Sequence, residues 1–247
     1  DHGGPRVFTH HRLLSPSLAA CFLGLLLTAC EPPLPKISSE EPAQAISAQD
    51  WPAGTVMVVG NEPILASEIE AWVDTVALVE PSLSRPNHLR KALTNLVLHK
   101  KVARQIMPAE CERARQQAMD ALDDLRGGNG LSGEGPQVTQ VRGAWNDIEQ
   151  DIGLDRWGAA RRENPGEWQL LETLGGWTVM RAPSTPKKWM PNSDVTIDHV
   201  TFYYLDPATM KREIEGALEK LPILVIDQEW RDILPVFYDH LVTDETP

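Results

Sequence analysis

Three blocks of apolar residues at helical spacing run from Ser67 to Arg126, divided by two prolines and stopped by a diglycine. Ile69, Trp72, Val73 and Val76 share one helical face. Pro81 ends that block, and Pro86 suits the first turn of the next. The second stripe is Leu89, Leu93, Leu96, Val97, Ala103 and Met107, with Arg90, Lys91, Lys100 and Lys101 expected to face outward. Pro108 breaks it. Cys111, Ala114, Ala118, Leu122 and Leu125 then form a third stripe that ends at Gly127-Gly128. Sixty residues of this pattern rule out a strand-dominated first half.

What flanks the helices is β-prone. Thr55 to Val59 reads as a strand, Gly60-Asn61-Glu62-Pro63 as a turn, and Ile64-Leu65 as a resumed strand. Ser67 with Glu70 has capping-box spacing at the first helix. Residues 127–137 hold five glycines and a proline and read as a loop. Val138, Val141, Trp145, Ile148 and Ile152 alternate at three and four, which predicts a further helix, with a shorter one over Asp155–Arg162. Two strands are expected around Leu174-Gly175-Gly176, over Trp168–Glu172 and Trp177–Arg181, and a third over Val195–Tyr204. Asp206-Pro207 opens a helix that Pro222 stops; Ile223–Ile226 is a short strand. A last helix would carry Trp230, Ile233, Leu234, Phe237 and Leu241, kinked at Pro235. The fold class expected is α+β, mainly α.

The first 29 residues read as an address. Leu13 to Leu27 is an interrupted apolar stretch, too short for a membrane span, which needs about 20 residues, and of the size of a signal-peptide core. It ends in Leu27-Thr28-Ala29-Cys30, similar to the lipobox of bacterial lipoproteins, whose cysteine is acylated. Glu31-Pro32-Pro33-Leu34-Pro35 and the polar stretch to Gln49 read as a tether. The expected organisation is a lipoprotein signal over 1–29, a tether over 30–54, a helical domain over 55–164, a small sheet region over 165–205 and a C-terminal helical segment over 206–247. Localisation is expected to be periplasmic, on a membrane through the lipid on Cys30.

Charge and motif content exclude several functions. Lys and Arg total 23 against 35 Asp and Glu, a net charge of −12 with no basic patch, so a nucleic-acid backbone is not an expected partner. Three cysteines in 247 residues do not make a disulfide scaffold. Cys111, on an apolar stripe, reads as a buried, inert thiol. H-E-x-x-H, C-x-x-C, P-loop, G-x-S-x-G and G-x-G-x-x-G are all missing. His88, His99, His199 and His240 are scattered, and the acidic pairs Asp123-Asp124 and Glu213/Glu215 sit on solvated faces. No metal site and no cofactor is expected.

Val56-Met57-Val58-Val59-Gly60-Asn61-Glu62-Pro63-Ile64-Leu65-Ala66-Ser67-Glu68-Ile69 resembles the opening strand and first helix of the SurA- and PrsA-like periplasmic foldases. Arg90, Ala92-Leu93 and Asn95-Leu96-Val97-Leu98 are similar to that family's next helix. Downstream, Pro165-Gly166-Glu167-Trp168, Thr173, Gly176-Trp177 and Val179-Met180 resemble the final hairpin of a parvulin peptidyl-prolyl isomerase. The helix over 206–221 and Ile223–Ile226 are similar to the C-terminal extension that packs back on the N-terminal domain of such foldases. The resemblance implies a SurA-like helical chaperone domain with a small, degenerate parvulin-like sheet.

The departures bear on activity. Thr178 stands where the parvulin hairpin carries histidine, and the usual first strand and glycine-rich segment do not precede residue 165. In a second alignment Asp198-His199-Val200-Thr201-Phe202 resembles the first parvulin strand. The resemblance therefore implies His199 and the Thr178 position as the catalytic candidates, with Trp177, Met180, Phe202 and Tyr204 as an apolar peptide-binding platform. The function expected is a lipid-anchored chaperone of the parvulin isomerase family that binds unfolded or extended secreted or outer-membrane polypeptides, with isomerase activity weak or lost. The alternative is a non-enzymatic lipoprotein adaptor that binds one specific protein partner.

Overall fold

The computed structural model describes residues 51–131, 135–162 and 166–243. Cys30, the signal region and most of the proposed tether lie outside the described residues. Those described belong to one unit of the chain, and the fold is α+β.

Strand β1 (Thr55–Val59) is buried along its whole length, which is why it reads as an unbroken apolar run rather than an alternating one. It pairs antiparallel with β2 (Glu62–Leu65) through a two-residue turn, Gly60-Asn61. Gly60 has φ 57°, where a side chain would be strained. Glu62 and Pro63, expected in the turn, already belong to β2. On its other side β1 pairs with β7 (Ile223–Val225), and β7 pairs in parallel with β8 (Val242–Thr243). The C-terminal part of the chain thus completes a sheet of order β2-β1-β7-β8.

Helix α1 (Ala66–Val79) packs Ile69, Trp72 and Val76 into the same core as β1. Its N-terminus is closed by Glu68, whose carboxylate accepts from the Leu65 amide at 2.9 Å; the expected partner Glu70 instead pairs with Arg85 at 3.1 Å. Helices α2 (Arg85–Ala92) and α3 (His99–Ile106) are joined by a π-helical stretch, Leu93–Leu98. A π turn takes in an extra residue and rotates everything after it about the axis. Lys100 and Lys101, expected to face solvent, are only 8% and 6% exposed; Lys100, four residues after Leu96 and seven after Leu93, shares the face of the apolar stripe. Lys101 pairs with Glu68 at 2.7 Å, and Lys100 lies over the Trp72 ring. Helix α4 (Pro108–Arg126) ends at Gly127 as expected.

The second sheet has the order β3-β6-β5-β4 and is antiparallel throughout. Its strands are β3 (Thr139–Gly143), β4 (Gln169–Thr173), β5 (Gly176–Ser184) and β6 (Val195–Tyr203). Strand β3 corrects the helix expected from Val138 onward. The spacing of Val138, Val141 and Trp145 fits a helix, but Thr139 and Val141 lie on alternating positions that pair with His199 and Ile197. Helix α5 (Trp145–Arg162) starts only after that strand. Gly153, at φ 69°, divides it, which matches the separate short helix expected at Asp155. Helix α4 covers one face of the sheet through Ala118, Ala121 and Leu122 against Val179 and Val200. Helix α5 covers the other, through Ile148, Ile152, Trp157 and Ala160 against Met180, Ala182 and Ile197.

Helix α6 (Pro207–Leu218) is capped as its sequence suggests, with the Asp206 carboxylate accepting from the Thr209 amide at 3.0 Å. The last helix expected is instead two 3-10 segments, Gln228–Ile233 and Val236–Leu241. Pro235 between them has ψ 141°, so it separates the segments instead of kinking one helix.

Candidate functional site

The register of β5 and β6 decides which candidate residues meet. Thr178 lies opposite Thr201, Met180 opposite His199, and Trp177 opposite Phe202. Successive residues of a strand point to opposite faces. Thr178, Met180, His199 and Thr201 therefore face α5, and Trp177, Glu172 and Phe202 face α4. The expected platform of Trp177, Met180, Phe202 and Tyr204 is split. Trp177 and Phe202 are neighbours, but Met180 is fully buried on the far face and Tyr204 is buried beyond the end of β6. The interval of three between Trp177 and Met180 already implies this, because an odd interval in a strand changes face.

Beneath α5 is a polar node. The Thr178 and Thr201 hydroxyls are 2.9 Å apart. The Arg156 guanidinium donates to Thr201 at 3.1 Å, to Thr178 at 3.4 Å and to the Ile152 carbonyl at 2.8 Å. Thr173 donates its hydroxyl to the Gly176 carbonyl at 3.0 Å. Thr178 is thus held in a satisfied network, and its hydroxyl is committed to protein partners. His199 lies one rung away on the same face. Both its ring nitrogens are buried without a hydrogen-bond partner. Burial, and then the Arg156 cation, lower its pKa to about 4, against the opposing pull of Asp151 and Asp198. The imidazole is neutral near pH 7, and the structure records no hydrogen bond from it to Thr178.

Facing α4 is a second cluster that the sequence reading did not single out. Glu172 on β4 accepts from the Arg104 guanidinium, which forms an ion pair with it, and from the Tyr204 hydroxyl at 3.2 Å. Burial, then the nearby carboxylate of Glu172, push the Tyr204 hydroxyl upward from its usual pKa. Burial and Glu172 likewise push the Cys111 thiol up to about 12, so it is a thiol and not a thiolate at neutral pH. A cavity of about 400 Å³ opens here, lined by Arg104, Cys111, Arg115, Glu172 and Trp177 among others. The three partners come from α3, β4 and the chain after β6, so only the tertiary fold assembles them.

Glu172→Ala is expected to destabilise the protein by about 2 kcal/mol. Breaking a buried pair costs about 3–5 kcal/mol, reduced here because Arg104 is 37% exposed. Glu172→Gln keeps an acceptor for Tyr204 and is expected to cost about half as much. Urea denaturation of the two variants checks this; equal losses would show that the Tyr204 hydrogen bond contributes nothing and that the Arg104 pair carries the whole effect.

Another opening borders β6 on the α4 side. It measures about 540 Å³ and is lined by Gln117, Asp120, Ala121 and Asp124 of α4, by Leu131 and Pro136, and by Thr201, Phe202 and Tyr203. Pairing of β6 with β3 stops at His199 and Thr139. The Tyr204 amide donates to the Gly175 carbonyl at 3.0 Å, so by alternation the main chains of Thr201 and Tyr203 point away from β5. Beyond Thr139 no strand among the described residues meets them. Gly135 and Pro136, on the chain leading into β3, line the groove together with Thr201, Phe202 and Tyr203.

No protein-family model, curated protein or solved structure matches this chain. Among the described residues, no group of three or more His, Cys, Asp or Glu is placed to hold a metal, and no helix is long and apolar enough to cross a membrane.

Proposed function

We propose that the protein holds unfolded or extended polypeptides, in the manner of the SurA- and PrsA-like foldases its sequence resembles, with prolyl isomerase activity weak or lost. The groove along the end of β6 carries this reading. It has an apolar wall in Ala121, Leu131 and Phe202 and is the size of a ligand pocket. The finer fold proposed with it is a helical foldase domain, 55–126, with a degenerate parvulin-like sheet. The pairing of C-terminal β7 with N-terminal β1 supports it. The chain is proposed to sit on the periplasmic side of a membrane through a lipid on Cys30.

Weak isomerase activity follows from the residues present. Thr178 offers a hydroxyl already bonded to Thr201, and His199 is a lone ring with no polar partner. Lowering a barrier of about 18–20 kcal/mol needs donors aimed at the twisting amide, and neither residue supplies one in the groove.

The test has three arms. The protein should suppress aggregation of a chemically unfolded client at near-equimolar ratio, and it should not accelerate cis/trans exchange of a prolyl peptide. Cys30→Ala should release it from the membrane fraction. Failure to suppress aggregation would overturn the holding role. Fast exchange that His199→Ala abolishes would make the protein an isomerase.

A second reading, a non-enzymatic adaptor for one folded partner, draws on a different surface. Val236 and Phe237 are 77% and 63% exposed beside Arg90, Arg231 and Asp239. Phe237→Ser should leave aggregation suppression intact, whereas an adaptor using that surface would lose its partner.

A further inference from the structure

Helix α5 is two pieces held in different ways. Gly153, at φ 69°, breaks it. The piece after the break is wedged against α1: a Cβ on Gly158 would lie 2.8 Å from the Thr75 methyl carbon, and Arg161 donates to the Asp74 carbonyl at 3.1 Å. The piece before it, residues 145–152, buries only Ile148 and Ile152. These belong to one apolar cluster with Val141, Val195 and Ile197 of the second sheet. The start of the piece is held by the Trp145 amide, which donates to the Pro191 carbonyl at 2.9 Å, and by the Trp145 ring against Trp157. Its end is held by Arg156. That guanidinium donates to the Ile152 carbonyl, across the glycine, and to Thr178 and Thr201 on the sheet.

Beside this latch is His199, with both ring nitrogens buried and unpartnered. The charged groups facing it from α5 are Arg156 and Asp151, and Asp198 is next to it on its own strand. Strands β3 and β5 set Thr139 and Met180 opposite it, and neither titrates. A proton on the ring places a second cation beside the guanidinium. Asp151 is exposed, and Asp198 is already paired with Arg181 at 2.8 Å, so they offset it only in part. A buried cation is relieved by water, and the covering backbone attached least firmly is 145–152.

Resting on the holding role proposed above, we infer that residues 145–152 are a flap, hinged at Gly153 and latched by Arg156. It swings off the second sheet when His199 takes a proton, and the apolar face beneath, Val141, Met180, Val195 and Ile197, becomes a further surface for unfolded chains. The covered ring resists protonation until about pH 4, whereas a solvated one takes its proton near 6.5. Acid therefore favours the open form, and the opening equilibrium rises about a hundredfold from pH 7 to pH 4.

Amide hydrogen exchange of the full chain is followed by segment at pH 7 and pH 4, corrected for the slower intrinsic exchange in acid. Residues 145–152 should lose about a hundredfold of protection while β1 and α4 keep theirs. His199→Leu should keep the flap protected at pH 4. Arg156→Met cuts the latch without a proton, so its flap should exchange readily at both pH values. In parallel, reduced, carboxamidomethylated ribonuclease, unfolded at either pH, should bind the natural chain about tenfold tighter or more at pH 4, and His199→Leu should lose that gain.

Loss of protection spread evenly over β1 and α4 would be global unfolding and would overturn the flap. So would equal loss in His199→Leu. Clients held at pH 7 with no gain in acid would overturn this inference and leave the holding role standing. Binding at neither pH would end both.

Discussion

Acidification from pH 7 to pH 4 is expected to cost the protein about 3 kcal/mol through His199 alone. In the unfolded chain the imidazole takes a proton near pH 6.5. In the folded protein burial and the Arg156 cation hold it neutral until about pH 4. Between these values the unfolded state binds a proton that the folded state does not, so falling pH favours unfolding. The contribution is fully present above pH 6.5 and is lost as pH falls to about 4. Each tenfold difference in proton affinity is about 1.4 kcal/mol, which limits the loss to about 3 kcal/mol. His199→Leu removes the titrating ring and the two unpartnered nitrogens while keeping apolar bulk beside Met180. Urea denaturation at intervals from pH 7.5 to 4 should show a steep decline for the natural chain and a flatter one for the variant. Parallel curves would show that the ring is solvated or partnered in solution.

That prediction rests on a residue the sequence singles out for another reason. His199 is noticed because Asp198–Phe202 resembles a parvulin strand, and its environment is set by β3 on one side and Arg156 above it. Neither is visible from residue spacing. Helix stops and caps are local, and so Gly127, Asp206 and the short β7 strand follow from the residues themselves. The misplaced elements are those where tertiary structure overrules a local pattern. Val141 sits at helical spacing from Trp145, yet its neighbours Thr139 and Gln140 pair with β6. Lys100, four residues after Leu96 and seven after Leu93, shares the face of the second apolar stripe, and only the packed structure shows it buried over Trp72 with Lys101 paired to Glu68. The groove is non-local in the same way. Asp124 reads, with Asp123, as part of a solvated acidic pair, and only the fold sets it beside Thr201, Phe202 and Tyr203 of β6.

Gly176→Ala is expected to cost about 3 kcal/mol and to abolish polypeptide binding, while Gly175→Ala, one residue earlier, is expected to cost well under 1 kcal/mol. The sequence offers both glycines as equivalent members of one turn, but the structure separates them. A Cβ on Gly176 would lie 2.2 Å from the Phe202 carbonyl oxygen and 2.9 Å from the Tyr203 Cα. These are main-chain atoms of the neighbouring strand, so the only relief is to move β5 and β6 apart. That places the substitution at the upper end of the cost of overpacking, about 1–3 kcal/mol. It also unpairs the residues that form the edge and floor of the groove, Thr201 to Tyr203. A Cβ on Gly175 would meet the Met210 side chain, 2.7 Å from its terminal methyl carbon. Methionine is unbranched and swings aside cheaply. Chemical denaturation and client-aggregation assays on the two variants read both effects. Gly175→Ala should match the natural chain in each, and Gly176→Ala should fail in both. Equal stability for the pair would mean that β6 does not approach the hairpin as closely as the Phe202 carbonyl contact requires, and the groove built on that approach would fall with it.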